Sequence, residues 1–148
     1  MRLEEIMTAP VLTITAELSV AEAAKEMRSN DVGSLVVIRK GVVEGIITSW
    51  DVAVGCVGSG EDPSMCPILM HMSSPVHTAQ PDTDVVDAAR VMSQRRISRL
   101  PVVDENGKPI GIATFSNISR VVQQLASDIF SGWDRTPVSV TINRELLS

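Results

Sequence analysis

The apolar positions of the chain form one pattern that occurs twice, and the second copy follows the first by 65 residues. In each copy, apolar residues are spaced three and four apart, which places them on one face of an amphipathic helix. The two predicted helix faces consist of Val20, Ala23, Ala24 and Met27, and of Val85, Ala88, Ala89 and Met92. Ser19, with Glu22 three residues later, and Asp84 are the expected N-caps of these two helices.

Strands are predicted on both sides of each helix. A proline and a short β-branched run precede it, and two strands joined by a tight turn follow it. The predicted strands are residues 11–15, 35–38 and 42–48 in the first copy, and residues 76–78, 100–103 and 110–114 in the second. Because Gly45 to Thr48 recurs as Gly111 to Thr114 at an offset of 66, the one extra residue falls in the turn, where an insertion is tolerated best.

A second helix is expected to close each copy, and the clearer one begins near Ser116. Its apolar stripe suits either the core or a partner, and it consists of Ile118, Val121, Val122, Leu125 and Ile129. The order of elements predicts an α+β (α/β-type) fold of two β-α-β-β-α repeats, packed sheet to sheet with pseudo-two-fold symmetry. A single copy of about 50 to 60 residues buries too little surface to be stable alone, so the two copies should cover each other.

We expect repeat one at residues 1–60, repeat two at residues 61–130 and a C-terminal tail at residues 131–148. The linker between the repeats is the stretch 58–64, which is rich in Gly, Ser and Pro. In the tail, Val138, Val140 and Ile142 alternate with polar residues, as in a half-buried strand that pairs with its own sheet or with a second subunit.

The composition excludes several classes of protein. With 44% hydrophobic residues, the chain should fold around a core, and with only 3% aromatic residues that core should be aliphatic. The net charge of −5 and the few aromatic residues disfavour nucleic-acid binding. There is neither an apolar run of about 20 residues nor a secretory signal at the start. We therefore expect a cytoplasmic protein that binds neither nucleic acid nor membrane.

Recurring elements of the chain resemble those of the CBS (cystathionine-β-synthase) domain, and the whole chain resembles a stand-alone tandem pair, or Bateman module. The elements are the Ile6-Met7-Thr8 and His71-Met72-Ser73 openings, the two Ala-Ala-x-x-Met helices, the segment 97–104, Gly45-x-x-Thr48-x-x-Asp51 and Gly111-x-x-Thr114-x-x-Asn117. The resemblance implies a regulatory module that binds an adenosine-containing ligand, such as AMP, ADP, ATP or an S-adenosyl compound, in clefts between the repeats. It also implies a homodimer that acts on a protein target.

Thr48 and Asp51 are the first candidate site residues, because they lie three apart where a strand ends and a helix begins. The free N–H groups of a helix start suit a phosphate, and a carboxylate suits the hydroxyls of a ribose. The resemblance implies that Asp51 binds the ribose and that Thr48 binds the ribose or the phosphate. The simpler interpretation is that both residues only cap the helix. In the second copy the candidates are Thr114, Ser116 and Asn117, and Asn117 is uncharged and should bind more weakly.

Arg99, helped by Ser98, is the expected phosphate contact, since a guanidinium binds phosphate through two parallel hydrogen bonds. The nearby Arg95 and Arg96 are expected to face water and to interact with the dipole of the preceding helix. The resemblance further implies apolar walls for the adenine and backbone groups that contact its edge. The walls are Val32, Gly33, Ile46, Ile97 and Ile112, and the backbone groups lie near Leu12 and His77.

Neither a metal site nor a catalytic site is predicted. Cys56, Cys66, His71 and His77 have irregular spacings without the C-x-x-C pairs of structural zinc sites, although a disulfide between the two cysteines stays an alternative. The chain has no recognisable nucleophile–histidine–acid set and no phosphate-binding loop. We therefore expect a ligand-binding regulatory protein and not an enzyme. The alternative is a ligand-independent module for dimerisation or for docking a partner.

Overall fold

The computed structural model describes residues 1–133 as two sets of helices and strands. The first set is β1 (Thr13–Thr15), α1 (Val20–Asn30), β2 (Ser34–Arg39), β3 (Val42–Thr48) and a π-helix (Asp51–Cys56). The second set is α2 (Val85–Arg95), β4 (Arg99–Val103), β5 (Pro109–Thr114) and α3 (Phe115–Gly132). Short 3₁₀ turns lie at Leu3–Glu5, Val57–Ser59 and Ile68–Met70. The half-buried strand predicted from Val138, Val140 and Ile142 lies outside the described residues.

Both predicted helix caps are confirmed. The Ser19 side chain accepts a hydrogen bond from the Glu22 N–H, and the Glu22 side chain accepts one from the Ser19 N–H, which is a complete capping box. The Asp84 side chain accepts a hydrogen bond from the Val86 N–H and begins α2. The helices therefore start where the sequence places them, and their apolar faces bury Val20 and Val85 in two separate cores.

The two sheets differ by one strand. In the first, β1 pairs in parallel with β2, and β2 pairs antiparallel with β3. In the second, only β4 and β5 form a ladder, and the strand predicted at residues 76–78 is reduced to a single bridge at Ala79. Val36 N–H donates to the Leu12 carbonyl in the first repeat, but the equivalent residue in the second is Pro101, which has no N–H to donate.

The closing helices also differ from the prediction. The second repeat ends in α3 as expected, but the helix of the first repeat is a π-helix of six residues followed by a 3₁₀ turn. The sequence there contains two β-branched residues and Gly55 within the helix, and Gly58 in the turn after it. These residue types have low helix propensity, which explains why the helix is short and irregular.

The opening segment of each repeat packs against the other repeat. Leu3 is fully buried in the core that contains α2, whereas Ile68, its equivalent 65 residues later, is fully buried in the core that contains α1. Thr8 pairs with Ile112 on β5, and Ser73 pairs with Ile46 on β3. The cores are thus interlocked, which fits the expectation that neither copy is stable alone. The division of the repeats at residue 60 stays a prediction.

Within residues 1–133, no helix is both long enough and apolar enough to cross a bilayer.

Candidate ligand-binding clefts

Two clefts lie at the seam between the repeats. Cleft one has a volume of about 260 Å³ and is lined by Ile46, Thr48, Ser73, Pro75, Val76, His77, Arg96, Ile97, Ser98 and Arg99. Cleft two has a volume of about 230 Å³ and is lined by Thr8, Pro10, Val11, Leu12, Val32, Ser34, Val36, Ile112 and Thr114. Each cleft therefore takes one wall from each repeat, because the opening segment of each repeat crosses to pair with β3 or β5 of the other repeat.

The clefts are related by the sequence repeat, since most lining residues of one have their equivalent in the other. The equivalent pairs are Thr8 and Ser73, Pro10 and Pro75, Val11 and Val76, Leu12 and His77, Val32 and Ile97, Ser34 and Arg99, Ile46 and Ile112, and Thr48 and Thr114. The sequence duplication is thus reflected in two clefts at equivalent places in the fold. Their differences in lining then decide what each can bind.

Most of the predicted site residues line a cleft. In cleft one they are Ile46, Thr48, His77, Ile97, Ser98 and Arg99, and in cleft two Leu12, Val32, Ile112 and Thr114. Asp51, Asn117, Gly33 and Ser116 do not themselves line either cleft. Gly33 accepts a hydrogen bond from the Ser49 N–H through its carbonyl, at 2.9 Å, and Ser116 is exposed in the first turn of α3.

Sequence reasoning identified some of the hydroxyl groups that line the clefts but missed three of them, those of Thr8, Ser34 and Ser73. The repeated opening element was recognised as a signature of the family but was not considered as a wall of the site. These residues become part of a cleft only because the opening segments cross to the other repeat, and that crossing is a feature of the tertiary structure. Pairing Thr8 with Ser73 by the 65-residue offset is the one sequence signal that could have suggested them.

Asp51 caps the helix start beside cleft one. Its Oδ2 accepts hydrogen bonds from the Thr48 N–H at 2.8 Å and from the Thr48 hydroxyl at 2.9 Å, while its own N–H donates to Thr48 Oγ1 at 3.3 Å. In this structure Thr48 and Asp51 therefore cap the helix, which is the simpler of the two interpretations of their spacing. A contact between Asp51 and a ribose stays a prediction, for which Oδ1 is the oxygen that makes no hydrogen bond to the described residues.

Asn117 has the same geometry in the second repeat. Its Oδ1 accepts from the Thr114 N–H and hydroxyl, both at 2.8 Å, and Asn117 N–H donates to Thr114 Oγ1 at 3.2 Å. The amide adds one bond that a carboxylate lacks, because Asn117 Nδ2 donates to Thr8 Oγ1 at 3.4 Å. The Asp-to-Asn difference between the repeats thus ties the helix start of the second repeat to the opening segment of the first.

The clefts differ in charge. Arg96 and Arg99 both line cleft one, and within residues 1–133 neither forms an ion pair. Arg99 Nη1 donates to the Ser98 hydroxyl at 3.2 Å. Arg96 is exposed at the end of α2, as expected, where it has the left-handed conformation with φ of 54°, and it also lines the rim of cleft one. Among the described residues, none that lines cleft two carries a charge.

A second group of chemically active side chains lies away from the clefts. Cys56, Glu61, Cys66 and His71 each place one metal-ligating atom within 4.8 Å of the other three. The irregular spacing of the cysteines and His71 was the argument against a metal site, and folding removes that argument because it brings these residues together. Both cysteines are free thiols, and His77 lines cleft one instead.

The family of the chain follows from comparison with known proteins. The sequence profile of the CBS domain matches residues 3–56 and again residues 68–124, and the chain belongs to this family. The CBS domain-containing protein YhcV of Bacillus subtilis is 30% identical over 84% of this chain and 86% of that protein. The uncharacterized protein MK0525 of Methanopyrus kandleri is 36% identical over 84% of this chain, which spans 64% of that protein.

Solved structures of CBS domain pairs share the fold. The CBS domain pair of protein MJ0100, in complex with 5′-methylthioadenosine and S-adenosyl-L-methionine, superposes with a TM-score of 0.76 at 32% identity and covers 84% of this chain and 98% of that one. CBSX2, in complex with AMP, superposes with a TM-score of 0.70 at 25% identity and covers 84% of this chain and 98% of that one. The predicted α+β architecture of paired CBS repeats is thereby confirmed.

Proposed function

We propose that this chain is a regulatory sensor that binds adenosine-containing ligands in its two seam clefts. The observation that carries the proposal is the pair of repeat-related clefts, each with apolar walls and a hydroxyl at a strand-to-helix junction. Apolar walls with a few placed polar groups are typical of small-molecule sites. The adenosine compounds bound to the CBS pairs of MJ0100 and CBSX2 support this class of ligand.

Cleft one suits a ligand that carries phosphate. Arg96 and Arg99 bring two positive charges to its rim, and neither is neutralised by an acid of residues 1–133. Guanidinium groups bind phosphate bidentately, and a charged hydrogen bond is stronger than a neutral one. Ile46 and Ile97, from opposite repeats, are the walls for the adenine, and the Thr48 hydroxyl with Asp51 Oδ1 receives the ribose.

Cleft two suits an adenosine compound without phosphate. Its polar groups are the hydroxyls of Thr8, Ser34 and Thr114, and at the position equivalent to Arg99 it has Ser34. A phosphate there would lose its hydration shell without meeting a cation, which is unfavourable. We therefore expect the two clefts to select different ligands.

A ligand in either cleft contacts both repeats, and this is how binding would be transmitted. It can shift the packing of the repeats only if it binds one arrangement more tightly than the other. The proposal assigns no reaction to this chain. A relative that is named as an enzyme, a homoserine O-acetyltransferase of Methanococcoides burtonii, is 37% identical, but this chain spans only 23% of that protein.

Calorimetry with AMP, adenosine and 5′-methylthioadenosine tests the proposal. AMP should bind more tightly than adenosine, and Arg99→Ala should weaken AMP binding about tenfold or more, since a hydrogen bond to a charged group contributes about 1.5 to 3 kcal/mol. Adenosine binding should change little in the same variant. Arg95→Ala is the matched control, because Arg95 is exposed at the end of α2 but does not line the cleft.

Two results would contradict the proposal. If Arg95→Ala lowered AMP affinity as much as Arg99→Ala, the effect would be general charge and not contact in the cleft. If none of the three compounds gave binding heat or raised the melting temperature, which any ligand specific for the folded state must raise, the sensor function would be wrong.

The alternative function, self-association, is favoured by α3. Val122, Leu125 and Ile129 follow helical spacing and are 61%, 53% and 60% exposed, so one apolar face of this helix is uncovered. A second copy of the chain is the occupant that we propose for it, because symmetric pairing buries the same apolar face on both subunits. Light scattering should show a dimer that Leu125→Glu dissociates, whereas Gln123→Glu, off the stripe, should not. A monomeric wild-type chain would contradict this.

A further inference from the structure

Four side chains with metal-ligating atoms meet at the end of the π-helix. Cys56 is fully buried, Cys66 and His71 are half-buried, and Glu61 opens to solvent. Glu61 Oε2 lies 2.9 Å from His71 Nε2, and the ligating atoms of all four lie within 4.8 Å of one another. Tetrahedral zinc, with bonds of about 2.0 to 2.3 Å, holds its ligand atoms about 3.3 to 3.8 Å apart. To form such a site the widest separations would shrink by about 1 to 1.5 Å, and the Glu61–His71 pair would open by about 0.4 Å.

The backbone holds these residues in place independently of their side chains. Glu61 N–H donates to the Cys56 carbonyl at 3.2 Å, and the Cys66 carbonyl accepts from the Val20 N–H at 2.8 Å. His71 N–H donates to the Ile68 carbonyl at 2.9 Å. The cluster is therefore arranged by the fold of the linker, so a metal would not need to assemble it from separate segments.

The sequence repeat shows that these side chains occur only in the first copy. At the positions equivalent to Cys56, Cys66 and His71, the chain has Val122, Met1 and Ile6, all of which are apolar. Glu61 lies in the linker and has no equivalent. Val122 and Met1 are 61% and 57% exposed, whereas Cys56 is fully buried, so the clustering of two thiols and an imidazole beside a carboxylate is specific to the first repeat.

We propose that Cys56, Glu61, Cys66 and His71 bind a divalent metal ion of the zinc class. Two thiolates and an imidazole favour zinc over calcium or magnesium, which prefer oxygen ligands. Four protein ligands close the coordination shell, as in structural sites. Such an ion would clamp the end of the π-helix to the segment that opens the second repeat, and this segment continues into Ser73 of cleft one.

Burial raises the pKa of the Cys56 thiol, and the nearby Cys66 adds to this effect.

Metal binding to the full-length chain tests the proposal. Protein purified under reducing conditions and stripped with chelator is titrated with Zn²⁺ in competition with a chromophoric chelator, and with Co²⁺ for its absorption spectrum. One ion should bind per chain, the melting temperature should rise with Zn²⁺, and the Co²⁺ form should show thiolate-to-metal charge transfer with the strong visible bands of tetrahedral cobalt.

The variants are chosen so that loss of binding can be separated from loss of folding. Cys66→Met with His71→Ile reproduces the residues of the second repeat, so it should fold and bind Zn²⁺ more than about 100-fold more weakly, because even outer partners of ligands contribute about 10- to 100-fold. Glu61→Gln should weaken binding at least about tenfold. Glu105→Gln, an exposed glutamate in the β4–β5 turn, is the charge-matched control and should bind as the wild type does.

Three results would overturn the proposal: no stoichiometric Zn²⁺ under reducing conditions, a Co²⁺ spectrum without a thiolate band, or undiminished affinity in the double variant. The formation of a Cys56–Cys66 disulfide in a chain that holds no metal when reduced would likewise overturn it. None of these results bears on nucleotide binding, so the metal site and the sensor function are tested separately.

Discussion

Gly45 on β3 is the position where the structure predicts the sharpest effect of a single methyl group. An alanine Cβ there would lie 2.7 Å from the Ser73 carbonyl oxygen and 2.7 Å from Met72 Sδ. The equivalent Gly111 on β5 is also crowded, but there the closest atoms all belong to the Met7 side chain, with Sδ at 2.5 Å. A methionine side chain can rotate away, whereas a backbone carbonyl held in a bridge cannot.

The magnitude follows from the displacement that Gly45→Ala requires. To reach ordinary contact at 3.4 Å, the Ser73 carbonyl must move by about 0.7 Å. This movement breaks the 3.1 Å hydrogen bond that the carbonyl accepts from the Ile46 N–H, and it strains the 2.9 Å hydrogen bond that the Ser73 N–H donates to the Ile46 carbonyl. The lost bonds cost about 1 kcal/mol each and the overpacking about 1 to 3 kcal/mol. The lower entropy of the unfolded alanine chain offsets about 0.4 to 1 kcal/mol. We expect a net destabilisation of about 2 to 4 kcal/mol.

Thermal and urea unfolding of both variants check this prediction. For a chain of this size, Gly45→Ala should lower the melting temperature by about 6 to 12 °C and Gly111→Ala by about 3 °C. Because Ile46 and Ser73 line cleft one, Gly45→Ala should also weaken AMP binding. Equal destabilisation by the two substitutions would refute the reasoning, since it would mean that the carbonyl yields as easily as a side chain.

Three further predictions concern the elements that hold the clefts. Leu3→Ala should destabilise the chain by about 2 to 5 kcal/mol in denaturant unfolding, because Leu3 is fully buried in the core of the second repeat; a change under about 1 kcal/mol would show that the opening segment is not docked in solution. Ser19→Ala should lower the free energy of unfolding by about 1 kcal/mol, because it removes the capping box of α1. An unchanged urea midpoint would contradict this prediction. Asn117→Leu should cost about 1 to 2 kcal/mol, since it removes the bonds to Thr114 and Thr8, and Asn117→Asp should recover most of this because the acceptor to Thr114 is restored.

The candidate site was predictable wherever the repeat marks a residue and its surroundings are local. Thr48 and Thr114 stand at strand-to-helix junctions, Ser98 and Arg99 stand at the start of a strand, and all four of these predicted residues line a cleft. Asp51 was assigned as a direct ligand contact, but in the structure its Oδ2 caps the helix start through Thr48. Sequence could not separate the two roles, because the same spacing serves both.

Arg96 and the group of Cys56, Glu61, Cys66 and His71 show what could not be predicted from the sequence. Arg96 is exposed at a helix end, where a cation commonly faces water, and only the position of α2 beside β3 and the second opening segment places it at the rim of cleft one. Cys56 ends the π-helix, Cys66 follows the linker, and His71 comes directly after the 3₁₀ turn at Ile68–Met70. Spacing predicts a metal site only when the ligands share a local motif, whereas here the turns of the chain and the contact of Cys66 with Val20 bring the side chains together.

The sequence by itself determined the duplication, most of the element order, the helix caps and the family, because each depends on local periodicity or on matching residues within a copy. Only the tertiary structure decided that the opening segments cross. Leu3 and Ile68 occupy equivalent positions in the two copies, and nothing in the neighbouring sequence says whether each packs with its own repeat or with the other. The crossing brings Thr48 of one repeat and Arg99 of the other into a single cleft. Its physical reason is the burial of the Leu3 and Ile68 side chains, each in the core of the opposite repeat.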